Sequence, residues 1–334
     1  MSILRRIYLN PGNKFKFLSN FCTSGANDGD VRIWKEIGDD DPSSQCVGES
    51  AICLAQYDSS EDGSKLLVST ENNMIQVYTF PDCNRIGIEL RFTALVTTIK
   101  VNEIYIAAGS DDGNIKVQLK DKSEEYFELQ GHEGPILHVD LSSKNLLASS
   151  SGDGTIKIWN LETKTVVKTF DGFTKINSFN EAQKFVTPSF EPTGRYLAYP
   201  KDNQIHVLET TNWQTRFTFE NDKIPEDYSV CSFSRCGSFI AAGSVKGQIS
   251  VWSLSDNLLL PGEYNGEEEY AITSLAWNPK MNGEIVFCDS DGQLCTIINC
   301  SSNGMDDVDE SSAVASNAHS QEDPDDLYGG SKLT

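Results

Sequence analysis

The sequence predicts an all-β protein built as a seven-bladed β-propeller. A short strand that alternates apolar and polar residues behind a turn recurs seven times along the chain, which is the pattern of a strand with one buried face. The first apolar residues of these strands are separated by 44, 40, 41, 49, 44 and 45 residues; they are Val31, Ile75, Ile115, Ile156, Ile205, Ile249 and Leu294. Several copies follow a second short apolar strand, so each unit reads as antiparallel strands. Seven even units favour a propeller over a general antiparallel sandwich.

The most complete unit runs from Gly131 to Trp159. It opens with Gly131-His132 and closes with Asp153-Gly154 and an alternating strand that ends at Trp159. Asp153-Gly154 is a two-residue sequence typical of a turn with positive φ, and it predicts a hairpin at this point. The unit resembles a WD repeat. The resemblance implies a buried hydrogen-bond relay inside one blade, formed by His132, Ser149, Asp153 and Trp159.

No residue is predicted to be catalytic. His132, Ser149 and Asp153 could also be read as a hydrolase triad, but the WD-repeat pattern accounts for these three residues and for Trp159 together. The chain has no phosphate-binding GxxxxGK[ST] sequence and no marked acid–base pair of carboxylates. Trp34 and Trp252 occupy positions that match Trp159 but lack an upstream Gly-His pair, so their relays are predicted to be incomplete.

The propeller is predicted to span residues 1–300, with a disordered acidic tail at 301–334 that has too few apolar residues to fold. Closing the ring requires three strands before Asp28, two for the first blade and one for the seventh. Only two apolar runs precede Asp28, Ile3 to Leu9 and Phe15 to Phe21. Strands of ordinary length barely fit this space. We therefore expect the first or the seventh blade to be one strand short.

The charge balance makes nucleic-acid binding by this chain improbable and favours basic protein partners. The net charge is −22, and without the predicted tail it is still −15. Binding to a phosphate backbone depends on Lys and Arg, whereas an acidic surface attracts basic peptides. Nine cysteines without a CxxC pair, and four histidines, predict no metal site, no cofactor and reduced thiols. No apolar run approaches 18 residues, so no membrane span is expected.

Acidic residues recur in the turns of several units. Propeller geometry would gather these turns around one mouth of the central channel, where negative potential would attract Lys- or Arg-rich peptides. The alternative is ordinary turn chemistry, because an aspartate side chain favours turns through hydrogen bonds to its own backbone. The candidate peptide-binding residues are Asp111, Asp112, Asp202, Asp289 and Asp291, with Asp153 in an equivalent turn.

Several stretches resemble one family over most of the chain. They are Asp28–Trp34 with Asp39–Pro42, Asn72–Pro81, Arg91–Thr93, Ser234–Ser244 and Tyr270–Pro279. Together they are similar to the amino-terminal propeller of the acidic nucleoplasmic DNA-binding proteins, also called WD-repeat and HMG-box DNA-binding proteins. Their fungal relatives are the chromosome transmission fidelity replisome adaptors. Gly-His is missing from the first unit, and residues 1–23 do not follow the family pattern.

The resemblance implies a nuclear, non-enzymatic adaptor that links the replicative helicase to polymerase alpha–primase on chromatin and supports sister-chromatid cohesion. Family members continue into a second propeller and often an HMG box. Neither is found before Thr334, so we expect a short form that lacks both. The alternative function is a generic WD-repeat adaptor, such as a substrate receptor of a ubiquitin ligase or a scaffold of a cytoplasmic complex.

Overall fold

The structure is a computed structural model of the whole chain. It describes side chains for residues 65–79, 82, 84–87, 90–120, 125–176, 186–224, 226–260, 270–278, 283–290 and 295–297. It describes the backbone alone for the strand residues 2–8, 14–18, 21–25, 30–34, 43–46, 51–59, 63–64, 88–89, 264–265, 293–294 and 298–299. The predicted acidic tail, 301–334, lies outside the described residues.

Strands β2 to β13 form three four-stranded antiparallel sheets, which we number as blades one to three. Blade one contains β2 (Lys14–Leu18), β3 (Phe21–Gly25), β4 (Asp30–Trp34) and β5 (Ser43–Cys46). Blade two contains β6 (Ala51–Ser59), β7 (Gly63–Thr70), β8 (Met74–Thr79) and β9 (Arg85–Arg91). Blade three contains β10 (Val96–Val101), β11 (Tyr105–Ser110), β12 (Ile115–Leu119) and β13 (Tyr126–Leu129).

The remaining strands form four further antiparallel sheets, blades four to seven. Blade four contains β14 (Ile136–Leu141), β15 (Leu146–Ser151), β16 (Ile156–Asn160) and β17 (Thr165–Phe170). Blade five contains β18 (Ser189–Phe190), β19 (Tyr196–Lys201), β20 (Gln204–Glu209) and β21 (Thr215–Glu220). Blade six contains β22 (Tyr228–Phe233), β23 (Phe239–Ser244), β24 (Gln248–Ser253), β25 (Leu258–Leu259) and β26 (Tyr264–Asn265). Blade seven contains β27 (Ile272–Trp277), β28 (Glu284–Asp289), β29 (Gln293–Asn299) and β1 (Ser2–Tyr8).

The blades follow one another around a ring. The first strand of each blade contacts the first strand of the next, and β27 contacts β2, so the ring returns to its starting point. Because the strands of a blade are antiparallel, the turn between its second and third strands lies at the same end as the connection into the next blade. We call this end of the ring the upper face. The all-β propeller architecture predicted from the sequence is confirmed.

The prediction that the first or the seventh blade is one strand short is wrong. Blade one has four strands, and β1 supplies the outer strand of blade seven by pairing with β29 from Ser2–Asn299 to Tyr8–Gln293. The sequence interpretation took Phe15 to Phe21 as one strand. In the structure this run is divided between β2 and β3, and Leu18 pairs with Phe21. A connection of two residues leaves room for three strands before Asp30.

Small residues in second strands allow neighbouring blades to pack closely. Gly109 of blade three lies under Ile136 of blade four, so closely that an added Cβ would fall 2.7 Å from the Cβ of Ile136. Gly243 of blade six lies under Ile272 of blade seven in the same way, with a corresponding distance of 2.6 Å. Both isoleucines are fully or almost fully buried. At these two boundaries the core therefore depends on a residue without a side chain.

The predicted turn at Asp153-Gly154 joins β15 to β16, but it is longer than expected. Ser151 N donates to Thr155 O, and Gly154 N donates to Ser151 O, so three residues lie in the loop. Positive φ is confined to Gly154, at 82°. This is the three-residue hairpin that ends in a left-handed glycine. A Cβ at Gly154 would also lie 2.8 Å from Phe173 O. Both the positive φ and this close contact therefore require glycine at position 154.

Candidate functional site

The four relay residues of blade four lie in one chain of hydrogen bonds. Trp159 Nε1 donates to Ser149 Oγ at 2.8 Å. Ser149 Oγ lies 2.7 Å from His132 Nε2, and His132 Nδ1 lies 2.8 Å from Asp153 Oδ2. Since the indole N–H can only donate, a consistent assignment has Ser149 donating to Nε2 and Nδ1–H donating to the carboxylate. With this assignment, the indole nitrogen, the serine hydroxyl, both imidazole nitrogens and the carboxylate all have hydrogen-bond partners.

Asp153 anchors the upper end of this chain. Its Oδ2 also accepts the backbone N–H of Glu133 at 3.1 Å, and its Oδ1 accepts the N–H and the hydroxyl of Thr155 at 2.9 and 2.6 Å. Burial alone would raise the pKa of Asp153, but the hydrogen bonds from His132, Thr155 and Glu133 outweigh it and hold that pKa well below the ordinary range. The carboxylate is therefore ionised at neutral pH. Thr155 is a member of this cluster that the sequence interpretation did not include.

Burial argues against a hydrolase triad at this position. Ser149 is 0% exposed and Trp159 is 2% exposed. The oxygen of Ser149 already accepts the indole N–H, and the ring of Trp159 meets that of His132 edge-on with centroids 6.0 Å apart. A serine nucleophile must reach a substrate carbonyl. Nothing outside the blade can reach this serine without opening the core.

Two other described tryptophans, Trp252 and Trp277, use backbone acceptors instead of a relay. Trp252 Nε1 in blade six donates to Glu220 O at 3.3 Å, and the indole packs between Phe219 and Tyr228. Trp277 Nε1 in blade seven donates to Ser232 O of blade six at 3.0 Å. The side chain of Trp34 lies outside the described residues. These indoles therefore connect different segments or blades, a role for which the sequence has no local signature.

The candidate acidic residues of blade three lie together in the turn between β11 and β12. Asp112 accepts the hydroxyl of Thr93 at 2.6 Å, the hydroxyl of Ser110 at 2.5 Å and the N–H of Asn114 at 3.2 Å. Burial alone would raise the pKa of Asp112, but these hydrogen bonds lower it. The carboxylate of Asp112 thus serves the turn itself, while Asp111 beside it is half-buried. Turn chemistry explains Asp112 without a ligand.

The two remaining acidic candidates that the structure describes, Asp202 and Asp289, lie on different blades of the upper face. Asp202 is exposed in the turn between β19 and β20 of blade five, with φ of 55°. Asp289 ends β28 of blade seven and is 9% exposed. Asp291 lies outside the described residues. Among the residues with described side chains, no group of three His, Cys, Asp or Glu residues is arranged to hold a metal ion.

The sequence interpretation did not identify the buried carboxylate of Asp140. Asp140 on β14 is 3% exposed, and its Oδ1 lies 2.5 Å from Lys100 Nζ on β10 of blade three. Its Oδ2 accepts the backbone N–H of Phe190 on β18 of blade five at 2.6 Å. One side chain therefore joins the inner strands of three successive blades. Its partners lie 40 residues before and 50 residues after it in the chain, and no local motif marks such a contact.

The described part of the chain contains no helix long and apolar enough to cross a membrane. Four cysteines with described side chains are free thiols. Cys231, Cys288 and Cys295 are buried and Cys236 is exposed. Burial strongly raises the pKa of the Cys231 thiol, which also accords with a core role for this residue.

Comparisons with known proteins agree on one family. A family profile described as WDHD1 first WD40 domain matches residues 15–296. The chain is 32% identical over 315 residues to WD repeat and HMG-box DNA-binding protein 1 of Xenopus laevis, covering 93% of this chain and 27% of that protein. The human protein of the same name is 31% identical over 320 residues, covering 94% and 27%. Minichromosome loss protein 1 of Schizosaccharomyces pombe is 24% identical over 240 residues, covering 71% and 26%.

The chain spans about a quarter of the length of these relatives. The family resemblance predicted from the sequence is confirmed. Since the profile matches most of the chain and the frog and human proteins align with more than nine-tenths of it, the chain belongs to the WDHD1 family of WD40 propeller proteins.

Proposed function

We propose that the protein is a non-enzymatic nuclear scaffold of the DNA replication machinery, built on a seven-bladed WD40 propeller. In this role it links the replicative helicase to polymerase alpha–primase on chromatin through protein–protein contacts. The observation that carries the proposal is the alignment of 93% of the chain with a frog protein whose name describes WD repeats and an HMG box that binds DNA. The seven antiparallel sheets support the blade count.

The partner contacts are assigned to the upper face. Asp111 and Asp202 stand in turns of blades three and five on that face, and the chain as a whole carries a net charge of −22. A negative surface of this kind selects Lys- and Arg-rich segments and repels bare nucleic acid. The relay of His132, Ser149, Asp153 and Trp159 has a structural role in this proposal, because it braces blade four and takes no part in catalysis.

The proposal is tested by affinity purification of the tagged protein from nuclei of cells in DNA replication, followed by chemical cross-linking and mass spectrometry. Recovery of helicase and polymerase alpha–primase subunits, cross-linked to lysines of the upper face such as the exposed Lys246, is the expected result. A matched bait with Asp111→Asn and Asp202→Asn should recover less of both complexes at the same protein level. Recovery of ubiquitin-ligase subunits or of a cytoplasmic complex in their place would favour the generic adaptor and overturn the proposal.

A further inference from the structure

A small cleft of about 80 Å³ lies on the upper face where blades four, five and six meet. Its lining includes Ser150 and Ile156 of blade four, Asp202 in the turn of blade five, and Asp227 and Tyr228 at the start of blade six. This volume is below the range of sites that enclose whole small molecules, so the cleft has room for part of one side chain. The four relay residues do not line the cleft, but Thr155, which donates to Asp153, does.

Blade four differs from blades three and six at one position beside the cleft. Ser150 is the fifth residue of β15, the position that Gly109 holds in β11 and Gly243 holds in β23. Over both glycines an isoleucine of the next blade packs closely, as described above. In blade five the first strand contains only Ser189–Phe190, and Val186 before it lines the cleft together with Ser150.

The hydroxyl of Ser150 lacks a partner. The residue is 2% exposed, and its Oγ makes no hydrogen bond with any residue that the structure describes. Leaving a buried hydroxyl unpaired costs about 1–3 kcal/mol. Ser151 beside it, by contrast, donates to Gly134 O at 2.9 Å. A ligand in the cleft would supply the partner that Ser150 does not find within the described protein.

The charges at the cleft favour a cation. Tyr228 N donates to Asp202 O at 2.9 Å, which holds the turn of blade five beside Asp227. Lys201 also lines the cleft, but its ammonium nitrogen lies 3.5 Å from Asp171 O and 5.4 Å from the ring centroid of Phe173. The lining therefore carries two carboxylates and one ammonium group, an excess of one negative charge. The apolar part of the lining suits the methylene stem of a long side chain.

We infer that this cleft receives a lysine or arginine side chain of a partner peptide. The stem of that side chain packs against Ile156 and Phe173, and its cationic group donates hydrogen bonds to Ser150 Oγ and to the carboxylates of Asp202 and Asp227. The inference rests on the proposed scaffold function and deepens it, since it places the recognition of a basic segment at one boundary of the upper face.

The experiment measures binding of two fluorescent peptides to the full chain by anisotropy. One is a short Gly/Ser peptide with a central Arg-Lys-Arg segment, and the other has Gln at those three positions. The wild-type protein should bind the basic peptide and not the Gln peptide. The Ser150→Ala variant should bind the basic peptide about tenfold more weakly than the wild type. The variant should resist urea at least as well as the wild type, because an unpaired buried hydroxyl is removed. A residue with a purely structural role would not show this combination.

The carboxylates are tested with Asp202→Asn combined with Asp227→Asn, since asparagine tolerates the positive φ at Asp202. This variant should also bind about tenfold more weakly. Asp222→Asn is the matched control, because Asp222 is exposed on the same connection as Asp227 but does not line the cleft. Its affinity should stay within about twofold of the wild type.

Equal affinity of the wild type, Ser150→Ala and the double Asn variant would overturn the inference, as would equal binding of the two peptides. The absence of peptide binding to the wild type would overturn it too. If the nuclear purification nevertheless recovers the helicase and the polymerase, the scaffold function stands without this cleft. Cleft-dependent binding of the basic peptide, with neither complex recovered from nuclei, would instead contradict the replication partners and leave the cleft assignment intact.

Discussion

Trp159 and Ser149 are joined by a hydrogen bond of 2.8 Å between Nε1 and Oγ, although they are not direct cross-strand partners. In the pairing of β15 with β16, Trp159 lies opposite Leu147 and Ser149 lies opposite Lys157. The contact is therefore diagonal across the two strands, from Trp159 to the residue two positions beyond its partner Leu147. The hydroxyl of Ser149 can then also hydrogen-bond to His132. The two bonds at Ser149 Oγ thus connect the third strand of blade four, through its second strand, to the connection that enters the blade.

Replacing Trp159 by alanine should destabilise the protein by about 3–5 kcal/mol, because a large buried side chain and a hydrogen-bond donor are lost together. Trp159→Phe should cost less, since it removes the N–H but keeps an aromatic ring. Equilibrium unfolding in urea, followed by circular dichroism, measures both. A loss below about 1 kcal/mol for the alanine variant would contradict the relay's structural role.

The stability that Asp153 contributes should depend on pH. Its folded-state pKa is held below that of the unfolded chain, so the folded protein binds fewer protons than the unfolded chain in the interval between the two values. The contribution is therefore complete above the ordinary aspartate pKa of about 4 and is lost as the pH falls below it. Asp153→Asn should lack this part of the acid dependence.

The measurement is urea unfolding of the wild type and Asp153→Asn from neutral pH down to about pH 3, at low protein concentration because the sequence pI is about 4.5. The gap in stability between the two proteins should narrow at the acid end. All other carboxylates are common to both, so the difference isolates this one. A gap that stays constant with pH would disprove the coupling.

Asp140→Ala should cost roughly 2–3 kcal/mol of stability, because it leaves the buried N–H of Phe190 unpaired and removes the partner of Lys100. Lys144→Ala, at an exposed site on the same blade, is the matched control and should change stability by less than about 0.5 kcal/mol. A double-mutant cycle with Lys100→Met separates the ion pair from the contact to Phe190. Equal stability of Asp140→Ala and Lys144→Ala would show that the three-blade contact is not stabilising.

Neutralising the acidic turns should weaken the binding of basic partners and make that binding less dependent on salt. The double variant Asp111→Asn with Asp202→Asn removes two charges from the upper face and replaces each aspartate by a side chain of the same shape. Substitution of Asp112 is avoided, because it would also remove the hydrogen bonds that hold its turn. Titration of the basic peptide at low and at physiological ionic strength should give a shallower slope for the variant. If affinity depends on ionic strength with the same slope in the variant and the wild type, Asp111 and Asp202 do not belong to the binding surface.

Deleting residues 1–8 should expose β29 as an edge strand, since β1 pairs with it along its whole length. Hydrogen exchange should then show loss of amide protection in β29 while β15 and β16 of blade four keep theirs. The control is the full chain under the same conditions. Unchanged exchange in β29 after the deletion would mean that this pairing does not protect the seventh blade.

The relay could be predicted because its members lie within a single repeat. His132, Ser149, Asp153 and Trp159 fall in one span of 28 residues, and a blade is a local structure whose strands follow one another in the chain. The contact of Asp140 could not be predicted in this way, since its partners come from the blades on either side. The cleft beside Ser150 likewise takes its lining from three blades.

By itself the sequence determined the all-β architecture, the spacing of the repeats, the members of the relay and the family, because each of these is written in local patterns of turn and strand residues. Only the tertiary structure decided how the ring closes, since the run from Phe15 to Phe21 divides into two strands once β2 and β3 can pair. It also decided that the carboxylate of Asp112 is used by its own turn. The physical reason is that pairing, packing and burial depend on neighbours that are distant in the chain, and no periodic pattern records them.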